Sequence, residues 1–310
     1  MAQNTTYTTN AANNIFEDVE NIIQTVTPHN TPFLSSIGKT KVTNTIHEWL
    51  EDELTTGQAN AAVEGADATF AEKAQPSRLS NYSQIFQDTF QISETFLATN
   101  TIGRKSEASR LMQKTMKEIA TDMEKAFINN ASYVAGDGST ARQAKGMEGF
   151  ITTNDLSYAS YAGTNDFDES KLMAMSRAVY TNSDAESHNL LVGPIQAGVI
   201  AGWDQNSRIT VNQNADAKKL TMAVMELITP YGMIKVVLDR YIGVDVDSST
   251  DYDRVYLYSP DKFKVGWLRN MKTNELAKSG DSRKWQTIGE CTLICHSEKA
   301  AAKVKKVSQA

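Results

Sequence analysis

Between Trp49 and Phe90 the chain makes a long, polar, acid-rich excursion bounded by two segments that alternate in the manner of β-strands. Lys41 to Leu54 alternates around Val42, Ile46 and Trp49, Thr55 to Pro76 is small and polar, and Leu79 to Ser93 alternates again through Tyr82, Ile85, Phe86, Phe90 and Ile92. That pattern is two strands with a long tip between them, and the tip has almost no apolar residues with which to build a core. An arm that cannot bury itself is held by something else, most often a neighbouring copy of the same chain. The pattern therefore predicts an assembly subunit.

The segment that follows predicts a helix of about eight turns over Gly103 to Asn130. Ala108, Met112, Met116, Ile119, Met123 and Phe127 recur at steps of three or four along one stripe, with Lys105, Arg110, Lys114, Lys117, Asp122 and Lys125 off it. A methionine stripe of this kind is core material. Upstream, Ile15, Val19, Ile22, Ile23 and Val26 predict a short amphipathic helix that ends at Pro28. Thr27 to Gly38, with Pro28 and Pro32 and no regular period, reads as an extended segment pinned by Phe33 and Leu34. Downstream, glycine-rich turns at Gly136, Gly138, Gly146 and Gly149 lead into an α/β region: a helix near Glu169 to Thr181, a buried strand at Asn189 to Val192 and a helix opening at Pro194. Strands are expected at Met222–Leu227, Met233–Leu238, Val255–Tyr258, Phe263–Leu268, Glu275–Ser279 and Trp285–His296, followed by a loose lysine-rich tail from Glu298 to Ala310.

Composition bounds the function. The chain has 310 residues, 40% of them hydrophobic and 22% charged, which is enough apolar material for one or two cores. No run approaches the ~18 to 20 apolar residues of a membrane helix, and Met1 to Ile15 is too rich in Asn and Thr for a signal peptide. A net charge of -6 argues against a protein whose main work is gripping nucleic acid. The charge is unevenly distributed. Met1 to Glu72 holds ten acids against Lys39 and Lys41, whereas Asp261 to Ala310 holds eleven bases against five acids. Two readings stay open here, an acidic arm laid over a basic neighbour or two solvated faces of one molecule. On the first, Glu48, Glu51, Asp52 and Glu53 are candidates for the acidic side of an intersubunit contact, and Arg269, Lys272, Arg283 and Lys284 for the basic side.

Catalytic and cofactor chemistry has no foothold in the pattern. Cys291 and Cys295 lie four apart on one strand face, where a disulfide is awkward, and His296 beside them lacks a second ligand pair for zinc. Asp245, Asp247, Ser249, Asp251 and Asp253 imitate the start of a calcium loop, but Thr250 replaces the turn glycine and Tyr256 the closing glutamate. Gly136-Asp137-Gly138 before Ser139 lacks the Gly-Lys-Ser/Thr ending of a phosphate loop. His29, His47, His188 and His296 are scattered, and no G-x-S-x-G elbow occurs. No active site, metal or cofactor is expected.

The order Thr31-Pro32-Phe33-Leu34 with Ile37-Gly38, Thr43-Asn44-Thr45, Glu48-Trp49 with Asp52 and Leu54, Glu64-Gly65, then Arg78, Asn81 and Gln84 closing on Ser93, resembles a group of tailed-bacteriophage major capsid proteins of the Hong Kong 97-type fold. The resemblance runs from about Asn14 to about Lys299. It implies an α+β fold: an N-terminal arm (1–38), an extended loop (39–92), a peripheral domain with a long spine helix (93–154), an axial domain (155–254) and a return to the peripheral domain with a C-terminal tail (255–310). It further implies self-assembly into hexamers and pentamers of an icosahedral head shell that encloses double-stranded DNA without reading its sequence. No long helical scaffold-like segment precedes the arm, so a separate scaffolding protein or a cleaved segment is expected, beside a portal and a possible decoration protein. No lysine–asparagine cross-link is expected. The alternatives are an encapsulin-like nanocompartment shell, which shares the architecture, and a virion carbohydrate-binding or adhesin module, which the long helix and α/β middle disfavour.

Overall fold

The computed structural model describes residues 29–55, 57–65, 67, 70, 72–99, 106–156, 167–185, 187–203, 226–242, 254–278 and 280–304. The helix expected over 15–26, the aspartate-rich stretch at 245–253 and the end of the tail lie outside them. In chain order the elements are α1 (Pro32–Ser36), β1 (Gly38–Lys41), β2 (Ile46–Glu51), β3 (Ser77–Tyr82), β4 (Gln84–Ser93), α2 (Glu94–Ala98), α3 (Glu107–Asn129), α4 (Met147–Phe150), α5 (Glu169–Asn182), β5 (His188–Val192), α6 (Pro194–Ala201), β6 (Glu226–Thr229), β7 (Gly232–Leu238), β8 (Val255–Tyr258), β9 (Phe263–Glu275), β10 (Ser282–Cys295) and β11 (Ala301–Val304).

The helix read from the methionine stripe is α3. It starts where the side chain of Ser106 accepts the amide of Ser109 (3.3 Å) and Glu107 occupies the first turn. Its burial is lopsided. Ile119, Met123, Phe127 and Ile128 are buried, while Met116 is 41% exposed, so the carboxyl half of the stripe faces the core and the amino half does not. That half packs on a four-stranded sheet of order β1-β9-β10-β4, where Phe127 meets Phe86 edge-on at 5.9 Å. β9 and β10 form a long antiparallel hairpin, β4 extends it antiparallel to β10, and β1 pairs parallel to β9, Gly38 opposite Lys264.

A second sheet, β11-β8-β5-β7-β6, has only β5 and β7 parallel. Its central strands are buried on both faces, which is why they read as unbroken apolar runs. Leu191, Tyr256, Tyr258 and Ala301 face the core that contains α3. Leu190, Val192, Val255, Leu257, Ala302 and Val304 face a separate core closed by Leu172, Met175 and Val179 of α5 and Ile200 of α6. The segment 255–310 is thus divided between the sheets: β9 and β10 enter the first, β8 and β11 the second. The third sheet is the hairpin β2–β3, registered from Ile46 opposite Tyr82 to Glu51 opposite Ser77.

Four expectations are corrected. Residues 32–36 are helical, not extended. Pro32 needs no amide partner in a first turn, and the amides of Phe33 and Leu34 are bound by the carboxylate of Glu124 on α3, at 2.6 and 2.8 Å. The two alternating segments of the arm are each broken, into β1 and β2 and into β3 and β4, because the chain passes from sheet to hairpin and back. At the second break the Ser83 amide donates to Thr45 O (2.8 Å) and its hydroxyl to Glu290 (2.7 Å). No separate strand forms over 276–278, since β9 runs on to Glu275, and the last residue of the expected strand lies outside the described residues. Finally, the start of the tail is not loose: 298–300 make a turn of 3₁₀ helix and Ala301–Val304 are a fully buried edge strand. Lys303 is tolerated there because its ammonium meets Asp155 (3.2 Å) and Glu148 (3.4 Å) and donates to the Glu148 carbonyl (2.8 Å).

Candidate assembly surface

The hairpin β2–β3 is anchored at one end only. Trp49 is buried against Phe150 of α4, ring centres 6.1 Å apart. Asn81, fully buried, donates to Lys145 O (3.0 Å) and Leu293 O (2.7 Å) and accepts from the Lys145 amide (2.9 Å), and Gln84 accepts from the Ala144 amide (3.1 Å). These side chains, which belong to the recognisable motif, fasten the root of the hairpin to the turn after α3. Beyond the root none of the other described residues covers the apolar side chains. Leu50 is 69% exposed, and Leu54 and Phe70 are 98% exposed. Side chains left in water on a connection that spans 52–76 are what an interaction surface requires.

The candidate acids run from the middle of β2 to its tip end, where the 52–76 connection begins. Glu48 is paired with Arg78 across the hairpin, and Glu53 with Lys299 at 2.6 Å. Asp52 accepts the Glu53 amide (3.0 Å). Glu51 is half-buried, and desolvation, followed by the nearby Glu298 and Glu53, raises its pKa. The candidate bases fall in two places. Arg269 and Lys272, on β9, border an open groove of about 860 Å³ that Lys39 and Lys41 of the edge strand β1 also line, with Trp267 and Asn270. Arg283, at the start of β10, binds Glu94 (3.0 Å) together with Lys278 (2.9 Å), and Lys284 is opposite Gln91 of β4. Arg269 also holds Glu290 at 2.9 Å. Glu48, Glu53, Arg269 and Arg283 are each held in an ion pair within the chain. Sequence reasoning missed Lys39 and Lys41 as members of the basic groove. They sit among the acids of the N-terminal segment, and only the parallel pairing of β1 with β9 carries them over.

The other candidate chemistries find different partners. Cys291 and Cys295 are reduced and buried, and burial pushes both thiols up, away from nucleophilic use. At Gly136-Asp137-Gly138 the turn binds its own anion. The Asp137 carboxylate accepts the amides of Thr140 (2.7 Å) and Ser139 (3.1 Å), chiefly the former, which lowers it to about 2. Among the described residues no group of three or more His, Cys, Asp or Glu could hold a metal, and no helix is long and apolar enough to cross a membrane.

Solved capsids superpose on this chain along nearly its whole length. A capsid of a native GTA particle, computed with C5 symmetry, superposes with a TM-score of 0.65 at 14% identity, covering 95% of this chain and 96% of that one. A structure from Mycobacterium phage Bobi gives a TM-score of 0.65 at 9% identity, with the same coverage. The fold is the Hong Kong 97-type fold of phage capsid shells. In sequence, the major capsid protein of Escherichia phage Phieco32 is 27% identical over 323 residues, 88% of this chain and 89% of that protein. The chain belongs to the SU10 major capsid protein family, which it matches over residues 1–308. It is a phage major capsid protein, forming the capsid shell of the virion, and this selects the capsid reading over the nanocompartment and adhesin alternatives.

Proposed function

We propose that this chain tiles an icosahedral head as hexamers and pentamers around double-stranded DNA, through heterologous contacts in which its hairpin lies over the neighbouring subunit. In this reading 1–38 act as the N-terminal arm, 39–92 as the extended loop, 93–154 and 255–310 as the peripheral domain with its tail, and 155–254 as the axial domain. The observation that carries it is the hairpin tip, with Leu54 and Phe70 both 98% exposed and left uncovered by the described residues. The acids Glu51, Asp52 and Glu53 beside that tip and the groove of Arg269, Lys272, Lys39 and Lys41 have opposite charge. Such complementarity sets register and orientation more than affinity.

The DNA is enclosed without sequence reading, in keeping with the net charge of -6. A separate scaffolding protein directs closure, a portal occupies one vertex, and a decoration protein is a further partner. The work is assembly rather than catalysis. Negative-stain electron microscopy beside light-scattering mass, at low and high salt, tests the proposal. Closed shells or capsomer rings are expected. A monomer near 34.2 kDa at every salt concentration, even when co-expressed with the other head proteins, would overturn it.

A further inference from the structure

A carboxylate that the assembly contact calls for is already held within the chain. Along β2, His47, Trp49 and Glu51 turn inward while Ile46, Glu48 and Leu50 turn out. Two residues past Glu51, Glu53 Oε1 accepts from Lys299 Nζ at 2.6 Å. Lys299 is the fixed side of this pair. Its carbonyl accepts from Asn154 Nδ2 (2.8 Å), and the Glu298 carboxylate before it takes the amides of Thr152 (2.8 Å) and Thr153 (3.1 Å), which pins the 298–300 turn to the segment after α4. The hairpin is the lightly held side. Past Trp49 it is tied to that turn by an ion pair whose side chains are 62% (Glu53) and 30% (Lys299) exposed, and the buried indole Nε1 of Trp49 has no acceptor among the described residues.

We propose that the Glu53–Lys299 pair is an autoinhibitory strap: in the unassembled subunit it holds the start of the 52–76 connection against the chain's own C-terminal turn, and on assembly Glu53 exchanges Lys299 for a cation in the groove of a neighbouring copy. The strap rests on the reading in which the hairpin lies over that groove. Charge dictates the exchange. While Lys299 is bound, one acid of the run Glu51, Asp52 and Glu53 is neutralised, and the ammonium stands as a further cation against Lys39, Lys41, Arg269 and Lys272 of the groove. Like charges brought face to face oppose docking, so the acidic face is complete only once Lys299 lets go. An exposed pair is weak enough to be traded, since it is worth little in water and is screened by salt, whereas a pair enclosed between two subunits is screened less.

The two ends of the pair therefore act on assembly with opposite sign. Lys299→Gln releases the acid and should lower the protein concentration at which shells form by about 2- to 5-fold, the factor that an exposed ion pair represents per subunit. Glu53→Lys also opens the strap but turns a cation toward the groove, and should raise that concentration or abolish shells. A pair that only braced the fold would weaken assembly when cut at either end.

Carbodiimide coupling reads the exchange directly, because it joins a carboxylate and an amine in contact as an amide while the reagent takes up the water. Shells are built from a mixture of isotopically light and heavy full-length copies, so that mass spectrometry of the linked peptides separates links within a chain from links between chains. The unassembled chain should give a Glu53–Lys299 link within one copy. Shells should lose it and give mixed light–heavy links from Glu53 to Lys39, Lys41 or Lys272. A Glu53–Lys299 link of equal yield before and after assembly would overturn the strap, as would a Lys299→Gln chain that needs the same or a higher concentration to form shells. Shells that keep the link overturn the strap alone, whereas absence of shells from every chain overturns the tiling and the strap together. Should Lys299→Gln fold poorly, the links of the native chain decide.

Discussion

Glu290 shows how far a residue's role departs from its residue type. Its side chain, 4% exposed, accepts from Ser83 Oγ (2.7 Å), Arg142 (2.7 Å) and Arg269 (2.9 Å), so that one carboxylate joins β10 to β9, to the start of β4 and to the turn after α3. Removing it leaves the Ser83 hydroxyl and two guanidinium groups, 25% and 53% exposed, without their shared acceptor. Glu290→Ala should therefore lose about 1–3 kcal/mol in equilibrium denaturation of the unassembled chain, the scale for a buried hydrogen-bonding group left without its partner. Arg269 reads in sequence as one more cation of a basic tail, available to a neighbour. In the fold its Nε–H is spent on Glu290, and the half-exposed remainder of the side chain borders the groove. Lys303 is the same lesson in a more buried setting: a lysine in a lysine-rich tail turns out to be interior because Glu148 and Asp155 wait for it.

At the scale of elements, the two halves of α3 should respond differently to the same substitution. Phe127→Ala empties a fully buried site against Phe86 and should cost about 3–5 kcal/mol, whereas Met116→Ala, at a position 41% exposed, should stay within about 0.5 kcal/mol. Thermal unfolding of both variants checks the contrast. The turn after α3 makes a second prediction, against helix propensity. Gly149 lies within α4, where alanine is ordinarily the better former, but a Cβ there would stand 2.2 Å from the Ala131 carbonyl oxygen. Gly149→Ala should destabilise by about 1–3 kcal/mol, because backbone on the other side of the contact has to move. A stabilised Gly149→Ala protein would mean that α4 does not pack this closely on the end of α3.

For the whole molecule, the decisive change is charge reversal on the hairpin. Glu51→Lys, Asp52→Lys and Glu53→Lys together should leave a folded monomer with an unaltered circular dichroism spectrum while abolishing shells in the electron microscope. Among the described residues these acids make the exposed pair of Glu53 with Lys299 and the local bond of Asp52 to the Glu53 amide, and exposed contacts of this kind contribute little to stability. Normal shells from the triple variant would remove these acids from the assembly contact.

What the sequence by itself determined was whatever local spacing encodes. The long helix was legible to within a few residues because a stripe at helical period is a contiguous signal, and β5 and β8 because strands buried on both faces are apolar throughout. The protruding arm was legible too, since a polar stretch of that length has no means of folding on itself. Tertiary structure alone decided the rest. Helix α1 depends on a carboxylate 91 residues away, β1 on a parallel partner at the other end of the chain, and the buried tail strand on acids from the middle of it. Each of these depends on desolvating a polar group and giving it a distant partner, and the free energy of that exchange is set by which atoms are neighbours in space, which one-dimensional spacing does not specify.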